Sequence, residues 1–134
     1  KVTYEDVTKK LFDVKTVYWI NKFGEIDFAD NVGNGYLPNT NNASTKKQLE
    51  KLLAINMLMN VAKYLNGDWQ PDWKNTNELK YTIGHDYENN SVIFDITSIS
   101  YNWGIVYFKS GELAKQAIEI LGEDTIKLAL CTDY

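Results

Sequence analysis

The side chains able to do chemistry in this chain of 134 residues are few and scattered. One thiol, Cys131, and one imidazole, His85, are the only residues from which a thiolate nucleophile and its base could be assembled. Such a nucleophile also needs a third group to orient the base, and no G-x-S-x-G elbow or comparable string supplies the arrangement. Zinc and calcium spacings (H-E-x-x-H, C-x-x-C, D-x-D-x-D-G) and the G-x-x-x-x-G-K-[ST] phosphate loop do not occur. The GNG at Gly33 to Gly35 follows no buried strand and reads as loop. Asp27, Asp30, Asp68, Asp72, Asp86 and Asp95 are eligible as acid and base, yet nothing in their spacing sets two at the separation a glycosidase uses. The expectation is a protein that is not an enzyme and uses neither cofactor nor metal.

Binding chemistry is better represented. Two Asp-Trp pairs flank Pro71 in GDWQPDW, and Trp69 and Trp73 can serve either as anchors for a partner or as lids over an apolar helix end. Asp86, Glu88, Glu119, Glu123 and Asp124 belong to an acidic second half: residues 67 to 134 hold five Lys against eleven acids, whereas residues 1 to 66 hold nine Lys against seven. The whole chain is at -4 and contains no Arg. Affinity for nucleic acid comes mainly from cations displacing counterions from phosphate, so direct nucleic-acid binding is not expected. Complementary charge would instead suit these acids to a basic surface on another protein.

The elements that must position these groups follow from periodicity. Thr3 can cap a short helix over residues 3 to 14, in which Tyr4, Val7, Leu11 and Val14 recur every three or four positions. Val17–Ile20 and Glu25–Phe28 alternate around Asn21-Lys22-Phe23-Gly24 and predict a hairpin, with Gly24 at the positive φ of its turn. Residues 29 to 44 read as an Asn- and Gly-rich loop. Thr45 and Gln48 form a capping box for a helix over 45–65, stopped by Asn66-Gly67. That helix is apolar around most of its circumference, leaving Asn56, Asn60 and Lys63 as its polar stripe, so it must be covered on more than one side, by the rest of the domain or in an oligomer. A second hairpin over Tyr81–Gly84 and Ser91–Ile96, a strand over Ile99–Phe108, a helix capped by Ser110 and ended by Gly122, and one more helical turn over 124–131 complete the chain. The fold expected is a single α+β domain over 1–134: one antiparallel sheet of four to five strands, packed by the long apolar central helix and a C-terminal amphipathic helix.

The string YNWGIVYFKSGELAKQAIEILG, residues 101 to 122, resembles the third strand and second helix of an RNA-recognition motif, with Trp103, Gly104, Val106 and Phe108 on the matching positions. That resemblance implies, as the alternative reading, a single-stranded nucleic-acid binder that stacks bases on Tyr101, Trp103 and Tyr107. NGDWQPDW and YFKSGELAKQAIEILGED resemble, over roughly residues 17 to 130, a group of small uncharacterised proteins carried by phages and prophages of gut bacteria. This second resemblance implies accessory phage biology, a class that includes anti-CRISPR proteins. Its expectations are a host or CRISPR effector protein as partner, inhibition of a nuclease by occupying its surface, and residence in the bacterial cytoplasm. One Cys makes no intramolecular disulfide, no apolar run approaches the length of a membrane span, and the first residues do not read as a signal peptide, which fits that compartment.

Overall fold

The computed structural model describes residues 1–30 and 41–134; the GNG string and most of the Asn-rich loop lie outside the described residues. It is an α+β protein with four helices and two antiparallel sheets, of three and two strands, among the described residues. The chain divides into two compact units, Lys1–Lys51 with Asp133–Tyr134, and Leu52–Thr132. No helix among the described residues is long and apolar enough to cross a membrane.

In the first unit, α1 (Tyr4–Leu11) begins at a reciprocal capping box: the Thr3 hydroxyl accepts from the Asp6 N–H while the Asp6 carboxylate accepts from the Thr3 N–H. The Thr3 backbone N–H, and after it the Thr3 side chain, favour the ionised carboxylate and hold the Asp6 carboxyl below its ordinary range. The side chain this helix buries is Thr8, and Tyr4, Val7 and Leu11 remain exposed. Strands β1 (Thr16–Ile20) and β2 (Ile26–Asp30) form the expected hairpin, with Val17 opposite Ala29 and Trp19 opposite Asp27. Asn21 organises its turn by accepting from the N–H groups of Phe23 and Glu25, and Gly24 takes φ +78°. Strand β3 (Asn42–Ala43) pairs with the other edge of β1, giving the order β2-β1-β3 around buried Val17 and Ala43.

Helix α2 (Lys46–Asn66) has its Thr45 cap bonded to the Gln48 N–H, and Gly67 follows it at φ +60°. The boundary between the units falls inside it. Asn56, Asn60 and Lys63 are exposed as their stripe predicts, but Leu52, Met57 and Met59 are exposed too, so the helix is not covered all round.

The core of the second unit forms where Ala54, Leu58 and Ala62 of α2 meet Ile83, Phe108, Ala114, Ala117, Ile126 and Ala129. Strands β4 (Lys80–Asp86) and β5 (Ser91–Ser98) make the second hairpin. Their pairing slips between Thr82 and Gly84, where β5 carries an extra residue and Asp95 sits at φ +68°. This bulge breaks the alternation expected for Val92, Phe94 and Ile96, because an inserted residue rotates everything after it. Asp95 also bears on α3 (Gly111–Leu121): any side chain at Gly111 would run into its carboxylate, so the helix starts on glycine. Ser110 caps α3 through the Leu113 N–H, Gly122 ends it at φ +84°, and α4 (Glu123–Leu130) follows.

The one expected sheet is therefore two, and the strand expected over Ile99–Phe108 is absent. That segment touches β4 through a single backbone pair, Tyr81 with Phe108, and is otherwise held by side chains. Lys80 anchors the start of it. Its side chain is fully buried, and its ammonium donates to the carbonyls of Asn75 (3.0 Å), Glu78 (3.0 Å) and Ile99 (2.8 Å). The Glu78 carboxylate lies 3.6 Å away and the Trp73 ring centre 5.2 Å away. Lys80→Met keeps the stem's bulk but removes three hydrogen bonds and the charge that faces Glu78, so it should cost roughly 2–4 kcal/mol, read as a lowered urea midpoint with unchanged slope.

Candidate protein-binding surface

The segment from Ile99 to Phe108 is shaped by hydrogen bonds from side chains on either side of it. The Ser98 hydroxyl accepts from the Tyr101 N–H and donates to the Tyr101 carbonyl. The Tyr107 hydroxyl accepts from the backbone N–H groups of Trp103 and Gly104, both at 2.8 Å, and donates to the Tyr101 carbonyl at 3.2 Å. The Thr82 hydroxyl donates to the Val106 carbonyl at 2.7 Å, and Asn66 clamps the far end, donating to the Tyr107 carbonyl and accepting from the Lys109 N–H. Gly104 lies so close to Thr82 that a Cβ there would collide with it. With its backbone groups committed in this way, the loop is fixed without being a strand.

What it displays is aromatic. Tyr101 and Trp103 are 69% and 65% exposed, with ring planes 10° apart and centroids 6.1 Å apart. Ile99 and Ile105 are also exposed, and residues 96 to 108 include no charged side chain. Tyr107, grouped with this pair on sequence, is 7% exposed and spends its hydroxyl internally, so it is a strut and offers no face to a base.

Of the residues singled out as anchors, Trp73 is half-buried edge-on against Tyr107, with ring centres 4.8 Å apart, and faces the Lys80 ammonium. Trp69 is half-buried just past α2, its backbone N–H bonded to the Asn66 carbonyl. The acids fall at two places. Asp86 and Glu88 lie at the β4–β5 turn; Glu119 closes α3 while Glu123 and Asp124 open α4. Glu88, Glu119, Glu123 and Asp124 are exposed, and among the described residues none has an ion-pair partner.

Asp86 differs, because its carboxylate is used locally: it accepts from the Asn89 side chain at 2.7 Å and from the Glu88 N–H at 3.0 Å. The Asn89 bond is the main reason its carboxyl sits below the ordinary aspartate range, against a smaller opposing effect of desolvation. In the same turn the His85 ring packs on Tyr87 and its Nε2 meets the Asn90 side-chain oxygen at 3.2 Å.

Three of the other carboxylates named on sequence are likewise engaged one by one. Asp27 accepts from the Asn21 side chain, Asp30 from the Thr16 hydroxyl and Asp72 from the Lys74 N–H. Among the described residues no three His, Cys, Asp or Glu side chains gather as a metal site would require. Lys80, Asn66 and Ser98, which set the loop, carried no functional signal in the sequence; Gly104 beside an aromatic run was the one available hint.

Comparison with protein families, with curated proteins and with solved structures finds no match.

Tyr107→Phe leaves the Trp103 and Gly104 N–H groups without their acceptor, which should cost about 1–3 kcal/mol and speed amide exchange at those two residues well beyond the rest of the second unit. For Asp86, the folded state favours the ionised carboxylate, so its contribution to stability is present above the unfolded pKa and lost as pH falls through the lower folded one. Asn89→Ala should move the Asp86 midpoint upward in a side-chain NMR titration; an unmoved midpoint would discount that bond.

Proposed function

We propose that the protein is a non-enzymatic binder that acts by seating the Tyr101–Trp103 loop on another protein. One observation carries this reading: two large aromatic side chains are about two-thirds exposed on a loop whose backbone is already fixed by Tyr107 and Ser98. Exposed rings that are preorganised lose little freedom on docking, and Trp and Tyr are the side chains that most often dominate an interface. The charge-free run around them suits the desolvated centre of a contact, where ionised groups are disfavoured.

The acids at the β4–β5 turn and at the α3–α4 junction would act at longer range. Exposed carboxylates favour approach to a basic surface and resist approach to phosphate. With the resemblance carried by NGDWQPDW and YFKSGELAKQAIEILGED, this supports a host or CRISPR effector protein as the partner, and inhibition of a Cas nuclease through its basic nucleic-acid channel as the activity. The competing reading, a single-stranded nucleic-acid binder, has exposed rings in its favour but no cation within residues 96 to 108 to meet a backbone.

Capture from lysate of bacteria expressing candidate Cas nucleases tests the reading. Wild-type protein should retain a partner, and Trp103→Ala should weaken retention by roughly 2 kcal/mol, about thirtyfold. Reversing Glu119, Glu123 and Asp124 to Lys should slow association and flatten its salt dependence. Retention of single-stranded oligonucleotide that weakens steeply with salt, with no protein partner captured, would replace this reading with its competitor.

A further inference from the structure

An amphipathic helix that serves only its own domain turns its apolar stripe inward. Helix α1 of the first unit does the reverse. The side chain it buries is Thr8, while Tyr4, Val7 and Leu11, spaced three and four residues apart and so on one face, are 64%, 40% and 50% exposed. Val2 and Val14, on either side of the helix, are exposed as well. With about 100° of rotation per residue, the stripe has two borders. One is Thr8, which is buried. The other carries Asp6 in the first turn and Lys10 in the last, both exposed. Glu5 and Lys9 lie on the far side of the helix, paired with each other at 3.0 Å.

We propose that this stripe is the seam of a homodimer, in which α1 packs antiparallel on α1 of a second copy about a two-fold axis. Such an axis sets each border of the stripe against the same border of the other copy, run in the opposite direction. Lys10 of each chain then meets Asp6 of the other, so the contact carries two complementary charge pairs. Parallel pairing would set Lys10 against Lys10 and Asp6 against Asp6, which repels. The reversal also brings Tyr4 beside Leu11 and the two Val7 side chains together at the centre, and the spacing of three then four is that of the a and d positions of paired helices. Acids first and bases last is the order that suits the helix's own dipole, and the same order makes the surface self-complementary when reversed. The exposed face of α2 lacks this property, since it presents Lys46 and Lys63 but no exposed acid. The stripe is short, well under a standard interface, so the dimer is a weak one.

The test is analytical ultracentrifugation of the full chain at concentrations from about 10 μM to about 1 mM, the range in which a small interface associates. The expected result is a reversible monomer–dimer equilibrium that weakens as salt is added. Val7→Lys should abolish it, and Lys10→Glu, which sets an acid against Asp6 of the other copy, should weaken it at least about tenfold. Met59→Lys, on the exposed face of α2, should leave it unchanged. Lys10→Glu alters only an exposed border, so it decides the matter even if Val7→Lys unfolds the helix. In a mixture of isotope-labelled and unlabelled chains, nuclear Overhauser contacts should run from Tyr4 of one copy to Leu11 of the other. A chain that stays monomeric at about 1 mM overturns the inference. So does a dimer that Lys10→Glu leaves intact, one that Met59→Lys breaks, or one whose contacts join Leu11 to Leu11.

Discussion

A single buried ammonium organises the second unit. Removing a Lys side chain from water is costly unless its charge is answered by polar partners, and Lys80 meets that condition with three backbone carbonyls, the Glu78 carboxylate and the Trp73 ring. The partners come from different stretches of chain: Asn75 and Glu78 from the connection before β4, Ile99 from the segment after β5. The lysine thus fixes both approaches to the hairpin at once. Trp73 then stands against Tyr107, and Tyr107 holds the backbone of Trp103 and Gly104, so the posture of the exposed rings traces back to that charge.

This dependence explains which parts of the molecule were legible in advance. Features encoded within a few residues of each other were readable: the caps at Thr3, Thr45 and Ser110, the turn at Gly24, the stop at Gly122, the two hairpins and the polar stripe of α2. Each is a local satisfaction of backbone groups, and local chemistry is what periodicity and capping rules detect. The alternating apolar residues from Ile99 to Phe108 read as a strand because nothing nearby reveals that Asn66, Thr82 and Tyr107 will take the hydrogen bonds a neighbouring strand would have taken. Lys80 was invisible for the same reason, since a charged residue at the head of a strand ordinarily faces water.

The candidate site was half legible. Tyr101 and Trp103 belong to a string whose aromatic content invited a stacking role, and both are exposed. Tyr107 was placed in the same role and turns out to be the strut beneath them. Two tyrosines six residues apart cannot be told apart by type; one turns its hydroxyl inward, where it accepts from the backbone amides of a turn that the fold brings to it. The tryptophan of the second Asp-Trp pair is likewise a packing element, edge-on to Tyr107, as its size and its neighbour Lys80 dictate.

Asp95 has a bearing on how α3 begins. It adopts a left-handed backbone conformation that few side chains tolerate, and the result is a carboxylate lodged against the first turn of α3. The amino end of a helix is ordinarily the natural cradle for an incoming anion, because its amides and dipole welcome negative charge. Here the Asp95 carboxylate already stands beside Gly111 at that end, so the negative charge that a helix start favours comes from the chain's own β5 bulge.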